Sequence, residues 1–159
     1  MKEIYRKLML LGLVIFIGIG VFYTYKEGKK QDRGFVEDSQ SYQHSLAQMQ
    51  EEDYKGAKEQ LINLHNKYPD QAIITRNLGL VYAIEGEMDK AALYYKKAVD
   101  QRPFIIQDPM FTLQFAEILL SLEENDAAKE YLEYSKKLGI PEEFKGHVEE
   151  LLAYIETMK

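Results

Sequence analysis

The 159-residue chain contains no cysteine. That absence removes disulfides, thiolate zinc sites and thiol nucleophiles together. It also removes lipid attachment through an N-terminal cysteine. A cysteine-free composition suits an oxidising or extracytoplasmic setting without demanding one. Basic charge is scarce beyond the N-terminus. The whole chain carries −6; residues 1–33 hold seven Lys and Arg against three Asp and Glu, a surplus of +4, which leaves −10 on residues 34–159. A region this acidic is repelled by phosphates, and no basic stripe interleaves with its aromatics, so no nucleic-acid partner is expected.

Catalytic and metal signatures are missing as well. His44, His65 and His147 fall in three different predicted helices, with no H-E-x-x-H and no carboxylates at ligand spacing. There is no P-loop and no nucleophile turn. Gly18 and Gly20 lie inside an apolar run and form no dinucleotide fingerprint. The pairs Glu51-Glu52, Glu123-Glu124 and Glu142-Glu143 stand at predicted helix ends, the usual place for solvated charge rather than an acid–base dyad. The expectation is no enzyme, no cofactor and no metal.

What is present begins with one long hydrophobic run. Residues 8–25 read LMLLGLVIFIGIGVFYTY, without a charge between Lys7 and Lys26. Eighteen residues in a helix span roughly 27 Å, close to a bilayer's hydrocarbon thickness. Tyr23 and Tyr25 stand at one end, where amphipathic rings favour the headgroup boundary. A helix apolar on every face would otherwise need a larger protein around it. The rival is a cleaved signal peptide. Val21 and Phe22 continue the run past Gly20 and no Ala-x-Ala follows, which favours an uncleaved signal-anchor. Gly12, Gly18 and Gly20 make no G-x-x-x-G spacing, so no close pairing of spans is signalled.

Orientation rests on nearly balanced flanks: Lys2, Arg6 and Lys7 before the run, and Lys26, Lys29, Lys30 and Arg33 after it. The short basic tail leans the reading towards N-terminus inside and the remainder outside the cytoplasm. The organisation expected is therefore a basic tail and anchor over 1–25, a polar juxtamembrane linker over 26–37, and a helical domain over 38–159.

That domain repeats with a period near 34 residues. Its clearest copy runs from Ala72 to Pro103 and places Leu78, Gly79, Tyr82, Gly86, Ala91, Tyr95, Ala98 and Pro103 in order. Gly79 and Ala91 are small where two antiparallel helices press together, with Tyr82 and Tyr95 filling the gaps beside them. Gly86 permits the turn between the helices, and Pro103 stops the second one. This copy resembles the tetratricopeptide repeat family, departing from it at Thr75, where a large residue is expected. Upstream, Ser45, Ala57, Leu61, Leu64 and Pro69 form a weaker copy. Downstream, Phe115, Ala116, Leu119, Ala128, Leu132 and Ser135 align once three extra residues are allowed before Pro109. Asp108 reads as an N-cap with Pro109 in the first turn, and Asn125 as the next cap. Pro141 opens a last helix whose Phe144, Val148, Leu151, Leu152 and Ile155 recur at helical spacing, as the terminal helix of an array requires.

The expected fold is all-α: a single N-terminal transmembrane helix, then a right-handed helix-pair solenoid of about three repeats and a capping helix. Repeats are placed at about 38–71, 72–105 and 109–140, with the cap over 141–157. The resemblance implies a concave groove lined by the first helix of each repeat. Carried over, its positions are Tyr42, Leu46 and Met49; Ile73, Arg76, Leu80 and Ile84; and Met110, Leu113, Glu117 and Leu120. Such a mainly apolar lining suits an amphipathic helix or extended apolar segment of a protein partner, and Met49 and Met110 add adaptability. A Lys, Arg and Asn clamp for a partner's C-terminal carboxylate is absent, since Arg76 alone cannot make one. The functional expectation is a scaffold held in the bilayer through residues 8–25, binding a protein or peptide near a bacterial plasma membrane, in the manner of accessories of secretion or envelope assembly. A self-associating structural component and a cytoplasm-facing adaptor are the alternatives.

Overall fold

The computed structural model describes Thr24 and residues 34–158. The apolar run over 8–25 lies, Thr24 apart, outside these residues. Among the described residues no helix is long and apolar enough to cross a membrane. The chain divides into two compact units, Met1–Ser41 and Tyr42–Lys159. The described part of the first, Thr24 and residues 34–41, is helical.

All regular structure among the described residues is helical. Helix α1 covers residues 34–50; α2 is Tyr54–Lys67, α3 Ala72–Ile84, α4 Met88–Gln101, α5 Pro109–Ser121, α6 Asn125–Leu138 and α7 Glu142–Thr157. A 3-10 segment, Pro103–Gln107, separates α4 from α5. The chain thus alternates helix and short turn, with α3 packed on α4 and α5 packed on α6.

One turn geometry recurs. Glu52, Gly86 and Glu123 all have left-handed backbones, with φ of 63°, 80° and 61°. Each turn closes with the same bond across six residues: Asp53 N–H to the Gln48 carbonyl at 2.8 Å, Glu87 to Tyr82 at 2.9 Å and Glu124 to Leu119 at 2.9 Å. These bonds satisfy carbonyls that a helix end otherwise leaves orphaned. The first interval is the period of 34, and the second is three residues longer, where the 3-10 segment is accommodated.

The same register organises the core. Ala57, Ala91 and Ala128 are 0% exposed, as are Leu61, Tyr95 and Leu132 four residues further on. Small residues let α4 approach α3 so closely that a Cβ added to Gly79 would lie 2.8 Å from Tyr95 Cδ2 and 3.0 Å from Tyr94 Cβ. Tyr95 in turn stacks on Phe111 at 4.9 Å between ring centres and lies 5.5 Å from Phe115, which meets Tyr131 at 4.7 Å. This aromatic seam ties α4 to α5 and α6, each buried ring contributing about 2–3 kcal/mol of apolar burial. At the end of the array Val148 and Ile155 of α7, each 1% exposed, close the last apolar face. Helix starts follow local chemistry. Asp108 caps α5, its Oδ1 accepting from Met110 N at 2.9 Å and Phe111 N at 3.4 Å. Asn125 is not a cap: the cap residue of α6 is Glu124, without a side-chain bond, and Asn125 is the first helical residue.

Candidate functional site

A cleft of about 220 Å³ opens between α3 and α5. Its α3 wall is Leu80, Ala83 and Ile84, continued by Met88 at the start of α4, and its α5 wall is Gln114, Glu117, Ile118 and Ser121. Both walls follow the three- and four-residue spacing that stacks side chains on one helix face. The cleft is smaller than the roughly 300–1,000 Å³ of small-molecule sites.

One end of this face is polar, and the Arg76 guanidinium there is held by two partners while its buried Nε has no hydrogen-bond partner among the described residues. Arg76 Nη1 donates to Asp108 Oδ2 at 2.9 Å, and Nη2 to Gln114 Oε1 at 3.3 Å. The guanidinium also lies 5.8 Å from the centre of the Phe111 ring. The same Gln114 oxygen accepts from the Tyr95 hydroxyl at 3.0 Å. Burial pushes the Tyr95 phenol well above its usual range, keeping it a neutral donor. Asp108 thus serves twice, as the α5 cap and as the partner of Arg76. Nearer the start of the array, Asn77 Nδ2 donates to the Tyr42 hydroxyl at 2.8 Å. Burial raises the Tyr42 phenol too, opposed by that bond and by the charge of Arg76. At the other end His147 Nε2 of α7 lies 2.6 Å from Glu117 Oε1.

The positions carried over from the repeat pattern separate on this geometry. Leu80, Ile84 and Glu117 line the cleft together. Ile73 and Ile84 are exposed; Tyr42, Leu46, Met49, Met110 and Leu120 are half-buried. Leu113, only 2% exposed, lies in the core and is not among the residues that line the cleft. Arg76, the cation expected in the groove, has its guanidinium held by Asp108 and Gln114. Sequence reasoning missed Ala83, Met88, Gln114, Ile118 and Ser121. Ser121 could have been found, since it stands one long period, 37 residues, after Ile84.

Residues 42–104 match the tetratricopeptide repeat family model. No curated protein matches the chain. Solved structures share its fold. The type III secretion chaperone SycD of Yersinia enterocolitica, in complex with a peptide of the translocator YopD, is 24% identical with a TM-score of 0.63, covering 76% of this chain and 92% of that one. PcrH of Pseudomonas aeruginosa is 21% identical with a TM-score of 0.60, over 75% and 91% of the two chains. The TPR2B domain of yeast Sti1, solved as a complex with Hsp70, is 13% identical with a TM-score of 0.63, over 77% and 98%. Identities this low speak for the architecture alone.

His65 is buried, with Nδ1 3.3 Å from Thr75 Oγ1 and Nε2 2.9 Å from Lys97 Nζ. Its burial and the nearby ammonium of Lys97 both lower its pKa, against the opposing pull of Asp70, so the neutral ring is favoured. Among the described residues no group of His, Asp and Glu is arranged to hold a metal.

Proposed function

We propose that this protein is a membrane-tethered scaffold that seats an apolar segment of a partner protein in the cleft between α3 and α5. The observation that carries the reading is the cleft itself. It is walled by Leu80, Ala83, Ile84 and Ile118, while the Arg76 charge beside it is already paired with Asp108. Structures of similar fold were solved with peptides, among them SycD with a segment of YopD. That precedent supports the use of this fold for seating a chain segment and is consistent with a role beside secretion or envelope-assembly machinery. A cation clamp for an acidic C-terminus has no support, since Arg76 is committed to Asp108. The tether is read from the uncharged run over 8–25, and the short basic tail before it supports a repeat domain outside the cytoplasm of a bacterial plasma membrane.

Site-specific photocrosslinking in native membranes tests the groove. A crosslinker at Ile84, 45% exposed in the cleft, is expected to capture a discrete partner, whereas one at Leu93, 64% exposed on α4 outside the cleft lining, is not. Equal capture from both positions would refute the groove. The tether is tested separately by alkaline extraction: the full chain is expected to stay with the membrane pellet. Its release into the supernatant would sink the anchor and leave the groove untouched.

A further inference from the structure

The cleft carries a charge that its fold does not need. Stepping back by one long and then one short period from Glu117 leads to Leu80 and Leu46, so two of the three equivalent helices hold leucine at this position. Glu117 is not a core residue: its side chain is 41% exposed, it lines the cleft beside Ile118, and among the described residues no Lys or Arg pairs with it. Among the described residues its carboxylate meets a side chain that reaches over from α7, His147 Nε2 at 2.6 Å. The position around that carboxylate is therefore shaped to receive a nitrogen donor. The setting adds to this, because residues 34–159 carry −10 and draw cationic segments towards the domain while repelling acidic ones. Arg76, the cation nearest the opposite end of the cleft, is already neutralised by Asp108 and offers an acidic ligand little.

We infer that the occupant of the cleft is an amphipathic peptide segment whose apolar side chain seats on Leu80, Ala83 and Ile118 and whose lysine or arginine pairs with Glu117. The cationic side chain takes the place that His147 holds in the free protein. This deepens the groove reading above and rests on it. Charge at the rim of an interface sets partner choice more than total affinity, so the discrimination expected is moderate.

The test uses the full chain in nanodiscs of zwitterionic lipid, with empty nanodiscs as the blank. The probes are two fluorescein-labelled 16-residue amphipathic peptides sharing one leucine row, one with lysine flanking the row and its twin with glutamate there. Fluorescence anisotropy is expected to show the lysine peptide binding about tenfold more tightly than the glutamate twin. Glu117→Gln, at a half-exposed position where folding is preserved, is expected to cut that preference to about threefold, in line with the modest strength of a solvated ion pair. Leu80→Asp is expected to weaken both peptides. If the twins bind equally, the cationic occupant is wrong and the apolar groove stands. If the preference is unchanged in Glu117→Gln, it belongs to the domain's overall charge and the assignment to Glu117 is overturned. If neither peptide binds, the groove reading falls and this inference falls with it.

Discussion

The pairs α3–α4 and α5–α6 are built to the same plan from different residues. In the first, Gly79 allows the helices to touch, Gly86 makes the turn and Tyr95 fills the interior. In the second, Ala116, Glu123 and Leu132 hold the equivalent positions, with Ala116 and Leu132 at 0% exposure and Glu123 at a φ of 61°. The backbone demands are the same at each position, and they are physical rather than chemical. One position must be small, one must tolerate a left-handed backbone, and one must be large and apolar. Where a pair meets these demands with the best-suited residue it is recognisable from sequence; where it uses a substitute it folds alike but at some cost.

The sharpest way to break this comparison is to remove the smallness that α3 supplies. Gly79→Val is expected to be the most damaging single change in the array. Its branched side chain would start from a Cβ already 2.8 Å from the Tyr95 ring, and Tyr95 is itself wholly buried on Phe111 and Phe115. Overpacking a close helix contact costs about 1–3 kcal/mol, and more where neighbours cannot move. The thermal midpoint followed by circular dichroism should fall by roughly 3–18 °C, taking about 3–6 °C per kcal/mol for a domain intermediate between the small and large size classes. A variant as stable as the parent would show that α3 and α4 do not meet at this glycine.

These contrasts also explain what could be read beforehand. The helix pairs were legible because Gly79, Gly86 and Ala91 answer local needs of the backbone, and Asp108-Pro109 announces a helix start through its own short-range bonds. The cleft was legible only in part. Met110, Leu113 and Glu117 share a face by spacing, yet the edge of that face turns inward at Leu113, which the packing of α5 decides. The commitment of Arg76 was hidden because its partner Asp108 is 32 residues away and joins one helix pair to the next. Contacts made across such distances leave no periodic trace. Residues 1–33, which bear the anchor expectation, are read from composition alone.

Exchanging the turn residues sharpens the comparison with a smaller effect of opposite sign in the two pairs. Left-handed backbone costs an ordinary residue about 1–2 kcal/mol, whereas glycine adopts it freely at some entropic expense in the unfolded chain. Gly86→Ala is therefore expected to destabilise by about 1 kcal/mol, and Glu123→Gly to stabilise by about 0.5–1 kcal/mol. Denaturant midpoints of both variants check the pair. Shifts in the same direction would mean that the two turns do not share the constraint their φ values imply.

The smallest effect is a titration confined to one face of the better-formed pair. On its downstream side α4 meets the aromatic seam of Phe111 and Phe115, which holds no histidine, but on its upstream side Lys97 meets His65, whose ring also contacts Thr75. Burial and Lys97 lower the folded-state pKa of His65 below the ordinary 6.5, while Asp70 works weakly the other way. A lowered histidine pKa means that the unfolded chain binds the proton more readily than the folded one. The contribution of neutral His65 is then complete above pH 6.5 and is lost progressively as the pH falls towards the lowered folded value. Between pH 7.5 and 5.5 the parent should lose more stability than His65→Gln, which keeps a polar group near Thr75 without a titrating ring. Identical slopes for parent and variant would show that His65 is as free to take up a proton in the fold as in the unfolded chain. The asymmetry between the two faces of α4 would then be one of shape, not of charge.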